Sequence, residues 1–271
     1  MSRVIVITGA SGGIGAALAV QLGRQGHRLV LAARREKELN EVAARAAGRG
    51  EGPVVFGDPR ARGEAVVVPC DLTRRADVER LRDRALDAFG SVDVWVNNAG
   101  RGITRPVLDL ADEDFDAMMA VNVKSALYGM QAIAPHFMAR GTGHIINISS
   151  FLSRVPFVSS RSAYNAAKAA LNALTSNLRT DLARTHPGLH VSLVMPGVVT
   201  SDFQRNALGG TPAIRFGPSV PTQTPDEAAA AIVRLIEQPV AEIYTNPAQA
   251  PTVLKYFEDV GAFEAQWKRT P

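Results

Sequence analysis

The sequence has only one cysteine and no long apolar run. Cys70 cannot form an internal disulfide, which is typical of a reducing compartment and argues against a cysteine-based metal site. No window approaches the ~18 uninterrupted apolar residues that a membrane-spanning helix needs. The N-terminal segment lacks the basic start and extended apolar run of a secretory signal. We therefore expect a soluble, unprocessed, cytoplasmic protein with no membrane partner and no metal.

A concentrated basic block is also missing. The net charge of +4 and the pI of about 9.5 come from arginines dispersed along the chain, without interleaved aromatic residues. Dispersed charge usually lies on solvated surface, so we expect no nucleic-acid partner. Lysine is scarce, at five residues, and Lys168 is one of them.

The sequence does contain a regular alternation of strand-like and helix-like segments. With 271 residues, of which 46% are hydrophobic, the chain is long enough for one large core. Short apolar runs predict the strands "RVIVIT", "RLVLAA", "AVVVP", "VDVWVN", "HIINIS" and "HVSLVM". Helical apolar spacing covers residues 13–25, 35–47, 73–89 and 115–138, and a further helix carries Tyr164 and Lys168.

Apolar strands separated by amphipathic helices indicate a parallel sheet that is covered on both faces. We predict an α/β fold with a doubly wound, Rossmann-like parallel sheet, as a single domain over residues 1–271.

Two segments interrupt the alternation. Residues 48–64, rich in Gly, Arg and Pro, form an unusually long connection, which we interpret as a mobile loop in preference to a functional one. Residues 201–223 mix isolated apolar side chains with Gly and Pro and are predicted to form a substrate lid. At the end of this segment, Thr224 as N-cap, with Pro225 and Glu227, predicts a capping box at the start of a new helix.

The motif "TGASGGIG" lies between the first strand and the first helix. A diphosphate that approaches a helix N-terminus needs bare backbone N–H groups, and a Cβ there would hold it away. A tight turn without a ligand is the alternative, but the position directly after the first strand favours a dinucleotide site. The candidate cofactor-binding residues in this motif are Gly9, Ser11, Gly13, Ile14 and Gly15.

The end of the second strand indicates which dinucleotide is bound. NAD(H) is usually held by an acidic side chain about 20 residues beyond the glycines, but the sequence reads "AARRE" there and Ala33 offers no carboxylate. Arg34 and Arg35 provide guanidinium groups suited to a ribose phosphate. NADP(H) is therefore the predicted cofactor, and two solvated arginines at the start of the second helix are the alternative.

Tyr164 and Lys168 are four positions apart in "SAYNAAKAA" and would share one face of a helix. Reduction of a carbonyl by a hydride leaves charge on oxygen, so the site must supply a proton. Tyrosine titrates near pH ~10 in model peptides, and an ammonium ~4 Å away at an effective dielectric of ~20 contributes roughly 4 kcal/mol, or about three pKa units. Taken alone, the pair fits an exposed surface helix better than a catalytic site, so its sequence context decides.

Six motifs in order make the sequence similar to a known family. They are the glycine turn, "NNAG" at 97–100, "VNV" around Asn122, "ISS" at 148–150, "YNAAK" at 164–168 and "PGVVT" at 196–200. From residue 5 to about residue 200 the chain resembles the classical short-chain dehydrogenases/reductases. The resemblance implies an oxidoreductase that uses a nicotinamide dinucleotide.

The resemblance also implies a role for each matching residue. Tyr164 would be the general acid in reduction and the base in oxidation, while Lys168 would lower the pKa of Tyr164 and bind the nicotinamide ribose. Ser150 would orient and polarise the substrate oxygen, and Asn122 would help to hold a water that relays protons. Asp71 would contact the adenine. The further expected cofactor contacts are Leu72, Asn98, Ala99, Gly100, Pro196, Gly197, Val199 and Thr200.

Several of these residues also have simpler interpretations. Asp71 could cap the following helix, alone or with Thr73. Asn97 and Asn98 could be turn formers, although a strand end, where ligands gather, favours support of the site. Asn122 could be a packing or kink residue within a helix.

Two departures from the family pattern affect these assignments. The interval from Ser150 to Tyr164 is one residue longer than expected, so Ser149 is an alternative hydroxyl. Ser150 is preferred because alternation along a strand places the two serines on opposite faces. Position 12 is glycine, where some NADP-dependent relatives have a basic residue, which leaves phosphate binding to the arginine pair of "AARRE".

These inferences predict an NADP(H)-dependent oxidoreductase that interconverts a secondary alcohol and a ketone or aldehyde. A non-catalytic dinucleotide sensor and a cofactor-assisted epimerase or dehydratase are the alternatives. The resemblance further implies a homodimer or homotetramer. Five apolar residues predict a pocket for a moderately large apolar carbonyl substrate: Phe151, Phe157, Phe203, Leu208 and Phe216.

Overall fold

The computed structural model describes residues 2–48, 64–158, 160–209 and 222–267. Its strands are β1 (Val4–Thr8), β2 (Arg28–Ala33), β3 (Ala65–Pro69), β4 (Val94–Asn97), β5 (Gly143–Ile148), β6 (Leu189–Met195), β7 (Val198–Val199), β8 (Thr222–Gln223) and β9 (Glu242–Tyr244). Its helices are α1 (Gly13–Arg24), α2 (Glu36–Ala46), α3 (Arg75–Phe89), α4 (Asp112–Met119), α5 (Ser125–Arg140), α6 (Ser162–Ala183), α7 (Pro225–Glu237), α8 (Gln249–Glu258) and α9 (Val260–Trp267). A π-helical turn, Ala120–Lys124, joins α4 to α5, and single 3-10 turns lie at Val107–Asp109 and Phe151–Ser153.

Seven strands form one parallel sheet in the order β3-β2-β1-β4-β5-β6-β9. In the centre of the sheet, Val6 lies opposite Val30 on one side and Trp95 on the other. The chain moves outward from β1 in both directions, so the strand order reverses between β1 and β4. Ligands of such sheets bind in the crevice that this reversal opens at the carboxyl ends of the strands. The predicted doubly wound, Rossmann-like sheet is confirmed.

Alternate side chains of each strand enter two different core clusters. Ile5 and Ile7 pack with residues of α1, α2 and α7, whereas Val4 and Val6 pack with residues of α3, α5 and α6. All four are fully buried. Because both faces of the sheet are covered, the strands are continuously apolar in sequence.

The start of α7 carries the predicted capping box. Glu227 N donates to Thr224 Oγ1 at 3.2 Å, and Thr224 N donates to the Glu227 carboxylate at 2.7 Å. Pro225 occupies the first helical position, where its missing N–H has no cost. This local prediction is confirmed.

Several other boundaries differ from the predictions. The helix predicted at 115–138 is two helices, α4 and α5, separated by the π-helical turn, and the helix predicted from residue 73 begins at Arg75. The elements β9, α8 and α9 were not predicted, and the three residues of β9 are too few for a periodic signal. Most of the predicted mobile loop, residues 49–63, and of the predicted lid, residues 210–221, lies outside the described residues. In the described ranges, no helix is both long and apolar enough to cross a membrane.

Candidate active site

The glycine turn directly follows β1 and leads into α1. Gly9 (φ +66°) and Gly13 (φ +54°) are in the left-handed region that favours glycine. A Cβ on Gly15 would lie 2.5 Å from Asn98 Nδ2 and 2.6 Å from Gly9 O, so packing excludes a side chain there. Gly12 is the N-cap of α1, and no side-chain hydrogen bond caps the first N–H groups of this helix in the described structure. Such a bare helix start fits a dinucleotide diphosphate.

Arg35 bends back over this turn, whereas Arg34 does not. Nη2 of Arg35 donates to Ser11 O at 3.2 Å and to Ser11 Oγ at 3.1 Å, and Nη1 forms an ion pair with Glu38 at 3.3 Å. Arg34 is exposed and has no hydrogen bond or ion pair within the described part of the chain. A strand end without a carboxylate and a guanidinium held at the glycine turn are compatible with a ribose 2′-phosphate.

Asp71 follows β3 and forms a turn before α3. Its Oδ1 accepts hydrogen bonds from Thr73 N at 3.0 Å and Thr73 Oγ1 at 2.8 Å. Because α3 begins only at Arg75, Asp71 is not its N-cap. The buried Asp77 accepts from Asp71 N at 3.0 Å and from Arg80 at 2.7 Å, and these bonds, the backbone bond first, lower the pKa of Asp77. Sequence reasoning missed Asp77, although an acidic residue in the first helical turn was a usable signal.

Three apolar residues among the predicted cofactor contacts take part in the core clusters. Leu72 is buried, while Ile14 and Ala99 are half-buried and pack against the edges of their clusters. The half-buried pair retains surface that a ligand can contact.

Thr8 and Asn98 join the carboxyl ends of β1 and β4. Thr8 Oγ1 accepts from the backbone N of Asn98 at 2.9 Å and of Ala99 at 3.1 Å, and it donates to Val96 O at 3.1 Å. Asn98 Nδ2 donates back to Thr8 O at 2.9 Å and to Gly9 O at 3.2 Å. Asn98 therefore supports the glycine turn, and Thr8 is a partner that sequence reasoning missed.

Asn97 belongs to a buried polar network behind the site. Its Oδ1 accepts from Trp95 Nε1 at 2.8 Å, and its Nδ2 donates to Asn147 Oδ1 at 2.8 Å. Asn147 Nδ2 in turn donates to Thr175 Oγ1 at 2.9 Å. A satisfied network of this kind fixes β4, β5 and α6 relative to one another. Asn147 is a single polar residue in an apolar strand, and the sequence does not indicate which side chain it binds. Asn147 and Thr175 were therefore not predicted.

Asn122 lies in the π-helical turn and binds the backbone of Arg101. Its Oδ1 accepts from Arg101 N at 3.2 Å, and its Nδ2 donates to Arg101 O at 2.9 Å and to Met118 O at 3.1 Å. A Cβ on Gly100 would lie 2.9 Å from Asn122 Oδ1 and 3.4 Å from Lys168 Nζ. Asn122 is thus both part of an irregular helical turn and a neighbour of Lys168 across Gly100.

Lys168 lies on α6, and its buried side chain reaches the end of β5. Its Nζ donates to Ile148 O at 2.8 Å. Burial lowers the pKa of Lys168 to about 7, because desolvation disfavours the ammonium form. The same Nζ lies 5.9 Å from the centroid of the Tyr164 ring, as side chains four apart on a helix face allow.

Tyr164 is buried between Ser150, Arg161 and Phe203. Burial raises the pKa of Tyr164, while a hydrogen bond with Ser150 and the positive charge of Arg161 act in the opposite direction. This differs from the sequence expectation that Lys168 lowers that pKa. Desolvation of the phenol is the larger effect here, and the cation that acts on it is Arg161. The Phe203 ring packs edge-on against Tyr164, with centroids 5.6 Å apart.

The two candidate serines lie on opposite sides of the strand end. Ser150 lies beside Tyr164 and acts to lower the pKa of its phenol. Ser149 Oγ donates to Asn172 Oδ1 at 2.6 Å and lies 3.2 Å from Lys168 O. Ser150 is therefore the hydroxyl beside the tyrosine, and Ser149 binds the helix that carries it. Asn172 was not predicted.

The loop after β6 is held by α8. Pro196 O accepts from Phe151 N at 2.9 Å. A Cβ on Gly197 would lie 2.2 Å from Gln249 Nε2, so the Gln249 amide packs directly on this backbone. Gln249 belongs to a helix that the sequence did not predict, which is why this contact was missed.

The two ends of the predicted lid meet at this loop. Strand β7, which contains Val199, pairs with β8, and Thr200 N donates to Gln223 O at 2.8 Å. Ser201 lies against the glycine turn, 3.8 Å from where a Cβ on Gly13 would be. The start of the predicted lid segment therefore lies beside the glycine turn.

Only part of the predicted apolar pocket lies near the candidate catalytic tyrosine. Phe203 and Leu208 pack against the cluster that contains this tyrosine. Phe151 and Phe157 instead pack with residues of α8 and α9, so the C-terminal helices account for their burial. Phe216 lies outside the described residues.

Known proteins share both the sequence and the fold of this chain. A family model described as short chain dehydrogenase matches residues 3–209. An uncharacterised oxidoreductase of Staphylococcus haemolyticus is 34% identical over 251 residues, covering 90% of this chain and 97% of the relative. A short chain dehydrogenase/reductase from Burkholderia phymatum in complex with NAD is similar at a TM-score of 0.81 and 26% identity, covering 96% of this chain and 95% of that one. A metagenomic short-chain oxidoreductase in complex with NADP is similar at a TM-score of 0.72 and 34% identity, covering 90% of this chain and 97% of that one.

Proposed function

Because the chain belongs to the short-chain dehydrogenase/reductase family, we propose that it is an NADP(H)-dependent oxidoreductase that interconverts a secondary alcohol and a ketone or aldehyde. One observation carries the proposal: Tyr164 is buried beside Ser150, which acts on the pKa of the phenol, and Lys168 Nζ lies 5.9 Å from the Tyr164 ring. Lys168 lies against Gly100, and the preceding Ala99 packs on Gly9 of the glycine turn. A nicotinamide dinucleotide would be bound there, at the carboxyl ends of the strands.

Side chains of this protein bind the substrate oxygen and transfer a proton to it. When bound, the reduced nicotinamide supplies the hydride. Ser150 donates a hydrogen bond to the carbonyl oxygen, and Tyr164 donates its proton to the same atom. Because burial raises the pKa of Tyr164, the phenol stays protonated at neutral pH, which is the form that reduction needs. In oxidation the phenolate is the base, and nearby positive charge stabilises it.

Lys168 and Asn122 are assigned to proton exchange with solvent. With a pKa of about 7, Lys168 can release and regain a proton near neutrality. Its Nζ has three donors, of which Ile148 O uses one, and Asn122 Oδ1 keeps a second acceptor site. Both atoms flank Gly100, so we assign to this pair a water that relays protons, and to Lys168 the nicotinamide ribose.

The preference for NADP(H) rests on Arg35. One solved relative is in complex with NADP and another with NAD, so the residues of this chain must decide. Arg35 already donates to the glycine turn through Nη2, and a 2′-phosphate there would offer it a stronger, charged acceptor. Asp71 is assigned to the adenine through its other carboxylate oxygen. Residues 196–200 are assigned to the nicotinamide.

Tyr164→Phe tests the mechanism. We expect NADPH oxidation with a panel of ketones and aldehydes to fall by about 10³-fold, because the proton donor is removed. The Kd for NADPH, measured by fluorescence titration, should change less than about twofold, since the glycine turn and Arg35 are unchanged. Retained turnover would refute the assigned acid. NADPH binding without turnover by the wild type would favour a sensor, and turnover without net cofactor oxidation would favour an epimerase or dehydratase.

We also assign a homodimer or homotetramer, which the family resemblance implies, with α5 and α6 at the interface. Multi-angle light scattering of the purified protein measures its mass directly. A mass equal to the chain's own 28.9 kDa would refute the assignment.

A further inference from the structure

A buried arginine lies one helical turn before Tyr164, and the roles assigned above use only its charge near the phenol. Arg161 is the N-cap residue of α6 and is 4% exposed. Residues three apart along a helix lie on the same face, so its side chain starts on the same side as that of Tyr164. Within the described residues its guanidinium has one acceptor, Ile103 O, to which Nη1 donates at 3.0 Å.

Arg161 also has no carboxylate partner in the described part of the chain. Two nearby arginines do have one: Arg105 pairs with Asp114 at 2.6 Å, and the exposed Arg205 pairs with Asp202. A buried cation without a countercharge carries a desolvation cost that a bound anion would offset. Nε and Nη2 of Arg161 donate no hydrogen bond within the described residues, so both remain available to an acceptor.

The space next to this guanidinium is shared with an apolar ring and with the proton donor. A Cβ on Gly102 would lie 2.4 Å from Arg161 Nη1 and 2.9 Å from Phe203 Cε1, so both side chains lie against Gly102. Phe203 in turn contacts the Tyr164 ring at 5.6 Å between centroids. A cation, an apolar ring and the phenol are therefore neighbours in the site.

The geometry points to Arg161 as the binding site for a carboxylate on the substrate, which makes the substrate an oxo acid with an apolar body. A guanidinium binds a carboxylate through two parallel N–H···O bonds, and Phe203 would pack on the apolar part. The inference rests on the proposed function. In the reduction, a hydride adds to the carbonyl carbon, the Tyr164 proton adds to the carbonyl oxygen, and the carboxylate is unchanged. The products are a hydroxy acid and the oxidised cofactor.

Phenylglyoxylate and its methyl ester provide a matched pair of probes, because they share the ketone and the ring and differ in the negative charge. We expect the wild type to have the higher kcat/KM for phenylglyoxylate. Arg161→Gln should lower that value by at least about 30-fold, the loss typical of removing one partner of a buried charged pair, and should lower the value for the ester by no more than about threefold. For phenylglyoxylate, the kcat/KM of Arg161→Lys should lie between those of the wild type and Arg161→Gln, because lysine keeps the charge but cannot form the two parallel N–H···O bonds.

Two further variants separate charge from position. Gly102→Ala keeps every charge but places a methyl group where Arg161 Nη1 and Phe203 Cε1 now lie, so it should also reduce the preference for phenylglyoxylate. Arg101→Gln is the matched control, because the Arg101 side chain also donates to a single backbone carbonyl, Asn206 O at 2.7 Å, but from an exposed position. The ratio of the two kcat/KM values should stay within about twofold of wild type in this control.

Binding without turnover tests the inference independently of the reaction. With NADPH present, calorimetric titration should show benzoate binding to the wild type at least about tenfold more tightly than benzamide, and Arg161→Gln should remove the difference. Arg161→Gln could instead lower kcat/KM equally for the acid and the ester, through a shifted Tyr164 pKa or through lower stability. That result would overturn the carboxylate site while leaving the proposed oxidoreductase in place. Benzoate discrimination in a protein that reduces no carbonyl would refute the function but support the anion site.

Discussion

The cofactor side and the substrate side of the site are built in different ways. On the cofactor side the key groups are close in sequence to the ends of β1 and β2, and local turns place them. On the substrate side, backbone bonds join three distant loops: Arg105 N donates to Ser160 O at 2.7 Å, and Leu208 N donates to Gly102 O at 2.9 Å. A motif can therefore identify the cofactor side, whereas the surroundings of a residue such as Arg161 depend on segments far away in the chain.

The largest effect expected from comparing the two sides concerns the two serines, which lie between them. Ser150→Ala should lower kcat by about 10²- to 10³-fold, because a donor to the developing oxyanion is lost. Ser149→Ala, the matched control, should lower kcat by less than about tenfold, since Ser149 Oγ donates to Asn172. Steady-state kinetics at saturating NADPH measures both. A larger loss in Ser149→Ala would reverse the assignment.

The cofactor side is tested by its two adjacent arginines. Arg35→Ala should weaken NADPH binding by about 30-fold, roughly 2 kcal/mol, because a charged hydrogen-bond partner of the phosphate is removed. Arg34→Ala should have less than about a threefold effect, as the exposed Arg34 side chain does not contact the glycine turn. Both variants should leave the Kd for NADH nearly unchanged. Equal losses in the two variants would show that Arg34 moves to the phosphate.

The opposite end of the same sheet should respond to acid. His144 is buried near the start of β5, where Nε2 lies 2.8 Å from Ser192 Oγ. Burial first, and then the charges of His190 and Arg3, lower the pKa of His144 to about 3. The ordinary pKa of histidine is 6.5. As the pH falls below this value, His144 is protonated in the unfolded chain but stays neutral in the folded chain, so stability is lost between about pH 6.5 and pH 3.

This loss is at most about 1.4 kcal/mol per pH unit. His144→Leu should flatten the pH dependence of the unfolding free energy between pH 4 and 6 by about that slope, as measured by urea denaturation. His186→Gln, which removes a histidine that is not among the causes of the lowered pKa of His144, is the control and should leave the slope nearly unchanged. An unaltered slope in His144→Leu would contradict the assignment.

The smallest expected effect is at a feature that is entirely local. Thr224→Ala removes the side-chain acceptor of the capping box at α7 and should cost about 1 kcal/mol of unfolding free energy. Thr224→Ser keeps the acceptor and should cost only a few tenths of that. Denaturation midpoints of the two variants give the comparison, and equal midpoints would show that the cap does not contribute to stability.

The family and the fold class were predicted from the sequence, and both are confirmed. The prediction worked because buried parallel strands and amphipathic helices leave strong local patterns. It was less complete for the site. Asp77, Thr8 and Asn172 bind predicted residues but carry no motif of their own, and the packing of Phe151 and Phe157 depends on helices that the sequence did not reveal.

The sequence by itself determined the alternation of strands and helices up to β6, the glycine turn, the capping box and the shared helix face of Tyr164 and Lys168. These features depend on neighbours within about one helical turn, so local spacing is sufficient to specify them. Only the tertiary structure decided that Arg35 and not Arg34 lies on the glycine turn, and that Ser150 and not Ser149 meets Tyr164. It also decided that Arg161 is the charged neighbour of that phenol. Burial and charge pairing set these outcomes, and both arise from loops and helices that are distant in the chain.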